Sequence, residues 1–171
     1  MMLAELARSR RNERELRRRG AIEPEGDVYR ALAFAYPLMF VAMAIEGTFF
    51  GSSDDRLLIG GLAIFVAAKA LKVWAIATLG LRWSYRVLVL PESPLVTTGP
   101  YAHLRHPNYL AVFGEIGGFA MMVDAVWTGV GSLLLFGVLV RRRIAIEENA
   151  LETAQGSRRE IPGARSPEPG A

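Results

Sequence analysis

Apolar residues run almost unbroken through four stretches of the chain: Tyr29 to Phe50, Leu57 to Leu79, Tyr109 to Val123 and Ala125 to Val140. A helix needs about 20 residues to cross a hydrocarbon core of ~30 Å, so the first two stretches are long enough and the last two are short. The last two are therefore predicted to form a short helical hairpin that turns near Asp124. Polar sequence flanks this block. Residues 1–27 interleave Arg and Glu in the manner of an amphipathic, solvated helix and end in the breaker run GAIEPEGD. Residues 153–171 carry GSRREIPGARSPEPGA and read as a disordered tail. The pattern predicts an all-α, polytopic integral membrane bundle of about four transmembrane helices.

Composition strengthens this picture, since 51% of the 171 residues are hydrophobic and the mean hydropathy is +0.24, more apolar than a soluble domain usually tolerates. A soluble bundle of buried helices is the alternative. Arginines cluster between Arg8 and Arg19, in the middle loop (Arg82, Arg86, Arg105) and after the last apolar stretch (Arg141, Arg142, Arg143), while the turns GSSDDR and Asp124 are poor in positive charge. By the positive-inside rule, four spans then place both termini and the middle loop in the cytoplasm. The net charge of +3 comes largely from these clusters, which indicates topology and contact with membrane lipid headgroups rather than nucleic-acid binding. The chain has no Cys, which excludes disulfides, thiolate zinc sites and cysteine nucleophiles. No cleavable leader pattern, internal repeat or phosphate-binding glycine loop is visible, GEIGG at 114–118 has the wrong spacing for one, and no metal site is expected.

Ionisable residues inside apolar segments are costly and therefore functional candidates; here they are Glu46, Lys69, Lys72 and Glu115. Lys69 and Lys72 lie three apart on one helical face with Lys72 near the cytoplasmic end, and snorkelling to the interface is the preferred reading. Glu46, near the outer end of its helix, is expected to reach water. Glu115, one to two turns after a polar loop, is a candidate to face a cavity shared with that loop.

The loop is GPYAHLRHPNYL, residues 99–110. Pro100 after Gly99 marks a turn, and Pro107 at a helix start places His106 near the N-cap and Asn108 in the first turn. Free backbone N–H groups and the positive helix end then lie beside Arg105 and His106, an arrangement that favours an anion. The plainer alternative is an interfacial loop whose Arg, Tyr and His sit at headgroup depth. A second cluster, RRRIAIEENAL at 141–151, follows the last apolar stretch. If that helix continues, Arg143 and Glu147 form an i, i+4 pair, with Ile144, Glu148 and Leu151 on a neighbouring stripe. A solvated salt-bridged helix end would look the same. The predicted topology puts both clusters on one membrane face, where carboxylates opposite an Arg/His loop suit a zwitterionic, cationic ligand.

Taken in order, LGLRWSYRVLV, LVTTGPYAHLRHPNYLAVFGE and RIAIEENAL resemble the isoprenylcysteine carboxyl methyltransferase family of integral membrane methyltransferases, over about residues 70–151. The N-terminal segment ELARSRRNERELRRRGAIEP and the run WAIATLG look most like small bacterial members that accompany type III polyketide synthases and O-methylate alkylresorcinol or alkylpyrone lipids. The resemblance implies a membrane methyltransferase domain over 28–152, in the cell inner membrane, with S-adenosylmethionine as cofactor in a cytoplasmic pocket. His106, Pro107, Asn108, Tyr109 and Glu148 match family positions that line that pocket, and Gly99, Pro100 and Tyr101 would shape its edge. The chemistry agrees: a sulfonium and an ammonium suit Glu147 or Glu148, aromatic faces such as Tyr101 and Tyr109 add cation–π attraction, and the methionine carboxylate suits Arg105 or the helix N-terminus. Arg143 resembles a family arginine near the acceptor and is assigned an orienting role. A phenolic or enolic acceptor must also lose a proton, which His103, His106 or Glu115 could take. The implied partner is a lipid-like acceptor drawn from the bilayer, in a type III polyketide synthase pathway.

The chain departs from the family where Ala102 replaces a common Arg and where a Gly/Pro-rich tail replaces an aromatic, basic stretch. It begins near the point where related proteins have a further apolar helix, so the expectation is a displaced start or a bundle one helix short. Membrane sterol and enone reductases share a similar RHPNY loop, but the phosphates of NADPH would want more basic residues than Glu147 and Glu148 offer. A non-catalytic membrane adaptor is the remaining alternative.

Overall fold

The structure, a computed structural model, describes residues 2–24, 26–51, 54–90 and 96–159, with side chains described over 5–150. Among the described residues its regular structure is helical apart from one antiparallel bridge between Ile22 and Val89. Helix α1 spans Met2–Arg18, α2 Tyr29–Phe50, α3 Asp55–Leu79, α4 Pro107–Met122 and α5 Val126–Arg159, with single 3-10 turns at Gly80–Arg82 and Gly99–Ala102.

Local chemistry sets most boundaries. Asp54 opens α3 by accepting a hydrogen bond from the Arg56 backbone N–H at 2.8 Å, and Gly80, at φ +57°, ends it in a conformation that a side chain would oppose. Pro107 begins α4, where its fixed φ fits and its missing N–H is not needed. The corner between α4 and α5 passes through Asp124 at φ +52°, a left-handed position that Asp tolerates better than most residues. The first turn of α5 is capped from another helix: Glu46 of α2 accepts from the backbone N–H of Trp127 at 2.9 Å and of Thr128 at 2.7 Å. Glu46 is therefore buried against a helix N-terminus, where its charge also meets the positive dipole end, instead of reaching water as its sequence position suggested.

Helices α2 and α3, of 22 and 25 residues, are each long and apolar enough to cross a membrane. Many of their large side chains point outward; Phe34, Phe49 and Ile59 are 77%, 77% and 67% exposed, and many on the first half of α5 are exposed as well. Such continuous apolar exposure suits lipid and contradicts a soluble bundle that buries its helices. The expected hairpin does turn at Asp124, but only one arm is short. Helix α4 has 16 residues, whereas α5 runs for 34 because residues 138–155 contain neither Gly nor Pro and are rich in helix formers. It continues to Arg159, past the expected start of the tail at residue 153; residues 160–171 lie outside the described residues.

Two packing solutions hold the helices together. Met43 and Ile116 are fully buried in a core with Met39, Val112, Ala125, Phe136 and Val140, contributed by α2, α4, α5 and the α4–α5 corner. Helices α3 and α4 instead meet backbone to backbone. A Cβ on Gly61 would lie 2.6 Å from the Gly118 carbonyl oxygen, one on Gly118 would lie 2.7 Å from the Phe65 nitrogen, and one on Gly114 would lie 2.8 Å from the Ala68 Cβ. Lipid tails are as apolar as the helices, so membrane helices gain by close backbone approach through such small residues.

Helix α1 is not the solvated helix its composition suggested. Glu5, Ser9, Asn12 and Leu16 are buried along one face against the segment after α3. The Asn12 amide donates to the carbonyls of Gly80 at 2.9 Å and Trp83 at 2.7 Å, and the Ser9 hydroxyl accepts from the Tyr85 N–H at 2.8 Å. The arginines occupy the opposite, exposed side.

The α3–α4 seam gives a sharp test. Gly118→Val should destabilise the detergent-solubilised protein by roughly 1–3 kcal/mol or more, because the obstacle is backbone and cannot rotate away. Gly117→Ala, which meets open space, should stay near wild type, both read by thermal unfolding.

Candidate functional site

The polar loop is seated on the end of α3. Gly99, at φ +58°, lies so close that a Cβ would stand 2.7 Å from the Thr78 hydroxyl and 3.3 Å from the Trp74 indole nitrogen. Pro100 and Pro107 are buried, which fixes the loop at both ends. From there the first turn of α4 presents its side chains to α5. The His106 and Tyr109 rings stack with centroids 5.3 Å apart. The buried Asn108 Oδ1 has no hydrogen-bond partner.

Arg143 on α5 is 7% exposed and holds three parts of the chain at once. It donates to the Tyr109 hydroxyl at 2.9 Å, to Asp27 at 3.4 Å and to the Tyr85 carbonyl at 2.5 Å. The Tyr109 hydroxyl in turn donates to Glu147 at 3.4 Å. Asp27 also accepts from the backbone N–H of Tyr29 and Val87, so it is fixed from both sides. Burial pushes the Tyr101 hydroxyl pKa up, and the Glu147 charge pushes it further, so Tyr101 stays protonated.

The structure thus brings together Tyr101, His106, Tyr109, Arg143 and Glu147, with Asn108 in the same first turn of α4 and Gly99, Pro100 and Pro107 shaping the loop behind them. Arg105, His103 and Glu148 are exposed. Of the two adjacent glutamates, Glu147 is the one that meets Tyr109.

Glu115 belongs to a different cluster. It is fully buried, 3.0 Å from the Lys69 ammonium and 3.6 Å from that of Lys72, and accepts a hydrogen bond from the Tyr36 hydroxyl. Lys72 also pairs with Glu5 of α1 at 3.1 Å, and Glu5 accepts from the Tyr85 hydroxyl at 2.9 Å. Snorkelling is therefore ruled out for Lys72, whose side chain is 6% exposed, and Lys69 also turns toward Glu115. Two carboxylates and two ammonium groups make the cluster neutral, the condition under which charges survive inside an apolar bundle. Tyr85 joins the clusters, its hydroxyl on Glu5 and its carbonyl on Arg143.

Asp27, Tyr85, Glu5 and Tyr36 were not singled out from the sequence. Only Asp27 carried a local signal, an Asp just before an apolar helix, and that signal indicates a cap. Their long-range partners lie 58 to 116 residues away, a separation that local pattern does not reveal.

Residues 61–153 match the family described as the isoprenylcysteine carboxyl methyltransferase (ICMT) family. The chain belongs to this family and is a membrane protein of methyltransferase type. It is 30% identical over 149 residues, 87% of this chain and 89% of the relative, to the uncharacterized protein YpbQ of Bacillus subtilis (strain 168). It is 29% identical over 147 residues, 85% of this chain and 86% of the relative, to an uncharacterized protein of Haemophilus influenzae. No solved structure matches it. The matched region contains the loop, Arg143, Glu147 and the Lys69–Lys72–Glu115 group, while Glu5, Asp27 and Tyr36 lie before it.

Glu115→Gln should cost roughly 3–5 kcal/mol by leaving buried lysines uncompensated. Adding Lys69→Met should recover part of that loss, and additive losses in denaturant unfolding would show that the pair is not coupled. Burial raises the Glu5 pKa, but Lys72 and the Tyr85 hydroxyl outweigh it and hold the carboxyl below its usual value. The depressed pKa means that Glu5 contributes fully to α1 docking above the ordinary carboxylate pKa of ~4.3, and that this contribution is lost as pH falls through the lower folded value. Trp83 fluorescence, with Trp74 and Trp127 replaced by Phe, should stay constant from neutral pH down to that range, whereas Glu5→Gln should show undocking at neutral pH.

Proposed function

We propose that the protein is an S-adenosylmethionine-dependent O-methyltransferase acting on a lipid-like acceptor at the cytoplasmic face of the inner membrane. The observation that carries this reading is the convergence of Tyr101, Tyr109 and Glu147 beside Arg143, with the unpartnered Asn108 Oδ1 in the same turn of α4 as Tyr109, within the region that matches the methyltransferase family. The residues suit the cofactor. Asn108 Oδ1 is a buried acceptor without a partner, Glu147 offers a half-buried carboxylate to an ammonium group, and the His106, Tyr109 and Tyr101 rings offer faces to a sulfonium. Gly99, Pro100 and Pro107 would line the edge, with Arg105 and Glu148 closing it from the exposed side.

When bound there, S-adenosylmethionine supplies an electrophilic methyl carbon for in-line displacement. The protein's part is alignment and exclusion of water. Arg143, already held by Tyr109, Asp27 and Tyr85, orients the acceptor oxygen. A ring nitrogen of His106, half-buried on Tyr109, takes the acceptor's hydroxyl proton. Glu115, fully buried against Lys69, Lys72 and Tyr36, is a positioning residue that fixes α3 against α4. Four spans, α2 to α5, with the termini and middle loop in the cytoplasm, are supported by the arginine distribution. A phenolic or enolic alkyl lipid of the kind made by type III polyketide synthases is the proposed acceptor, entering from the bilayer.

Calorimetric titration of detergent-purified protein should show binding of S-adenosylhomocysteine and none of NADPH. Glu147→Gln and His106→Ala should each weaken that binding about 10-fold or more, a loss of ~1.4 kcal/mol. Binding of NADPH alone would establish a reductase, and binding of neither by folded protein would favour an adaptor.

A further inference from the structure

Two adjoining hollows lie away from the Tyr109 cluster, between α1 and the end of α3. One, of about 290 Å³, has a floor of Leu16, Leu79, Leu81 and Leu90; the other, of about 490 Å³, is bounded by Arg11, Arg14, Arg18 and Arg19. They share Glu15, Arg19 and Leu81, so they form one open groove, with a leucine floor rimmed by Arg82, Glu15 and Arg19 at one end and a row of arginines at the other.

Arg11, Arg14 and Arg18 stand at i, i+3 and i+7 on the exposed side of α1, and none has an acidic partner among the described residues. Arg17 and Arg19, by contrast, pair with Glu23 and Glu15. Like charges at this spacing repel, and α1 is already anchored through its opposite face, so folding does not require the three arginines to stand together. The leucine end adjoins Leu79, the last residue of α3, whose apolar length places it at the membrane boundary. We infer that this groove binds an anionic phospholipid, with the phosphate on Arg11, Arg14 and Arg18 and the start of an acyl chain on Leu79, Leu81 and Leu90. The ligand needs both parts: the basic end selects negative charge, and the leucine floor selects a lipid over free phosphate.

The test uses the full chain in dodecyl maltoside micelles, with thermal unfolding measured after addition of dioleoyl phosphatidylglycerol, dioleoyl phosphatidylcholine or glycerol phosphate. Phosphatidylglycerol should raise the midpoint by roughly 5 °C over phosphatidylcholine, and glycerol phosphate should have no effect. Arg11→Ala/Arg14→Ala/Arg18→Ala should abolish the difference, and Arg14→Ala alone should reduce it, which keeps the test open if the triple variant does not fold. The charge-matched Arg30→Ala/Arg141→Ala/Arg142→Ala should retain it. Equal shifts with both lipids, an equal shift with glycerol phosphate, or equal loss in the charge-matched variant would overturn the inference.

Discussion

Inside a helical bundle that faces lipid, a charge persists only with its opposite beside it, and the neutral group formed by Glu5, Lys72, Glu115 and Lys69 meets that condition with members from three helices. Each pairing fixes geometry. Glu115 with Lys69 and Lys72 sets the rotation of α4 against α3, and the Glu5 pairing brings α1 down onto the end of α3. The contact is possible because glycine at 61, 114 and 118 lets the two backbones touch, which places the long lysine side chains within reach of a short carboxylate. Close packing and charge compensation are two aspects of one arrangement.

The candidate site hangs from this frame through Tyr85. Its hydroxyl belongs to the charged group and its carbonyl to Arg143, so the position of α1 is transmitted to the guanidinium beside Tyr109. Arg143 in turn is held by an aspartate before α2, the backbone after α3 and a tyrosine of α4. A guanidinium bonded on three sides has a definite orientation, which is what aligning an acceptor requires. Glu147 is only weakly engaged beside it, and the Asn108 oxygen in the first turn of α4 has no partner; unsatisfied acceptors are where a donor-bearing ligand gains most.

Membership of the isoprenylcysteine carboxyl methyltransferase family rests on residues 61–153, yet three supports of the frame lie before that region: Asp27 on Arg143, Glu5 on Lys72 and Tyr36 on Glu115. The family-matching half and its N-terminal brace are thus interdependent, and α1 has a structural duty on one face while its arginines lie exposed on the other.

The length of the apolar runs and the placement of Pro and Gly were enough to place α2, α3 and α4 along the chain, but not the full length of α5, which runs on to Arg159. The ends of α2, the break at Gly80 and the start of α4 at Pro107 follow from local steric and hydrogen-bonding rules. The arginine clusters and the density of polar types at 99–110 likewise marked the loop and the 141–148 helix as places where chemistry could occur. What local pattern could not decide was the partner of each buried polar group. Glu46 as a cap for α5, Lys72 turned inward, α1 docked by Glu5, Ser9 and Asn12, and Glu147 rather than its neighbour facing Tyr109 all depend on side chains from distant segments. A charged residue in an apolar stretch announces that it needs compensation, but the sequence does not say from where. Only the packing of the helices decides that, because compensation is a matter of distances of a few ångströms between residues far apart in the chain.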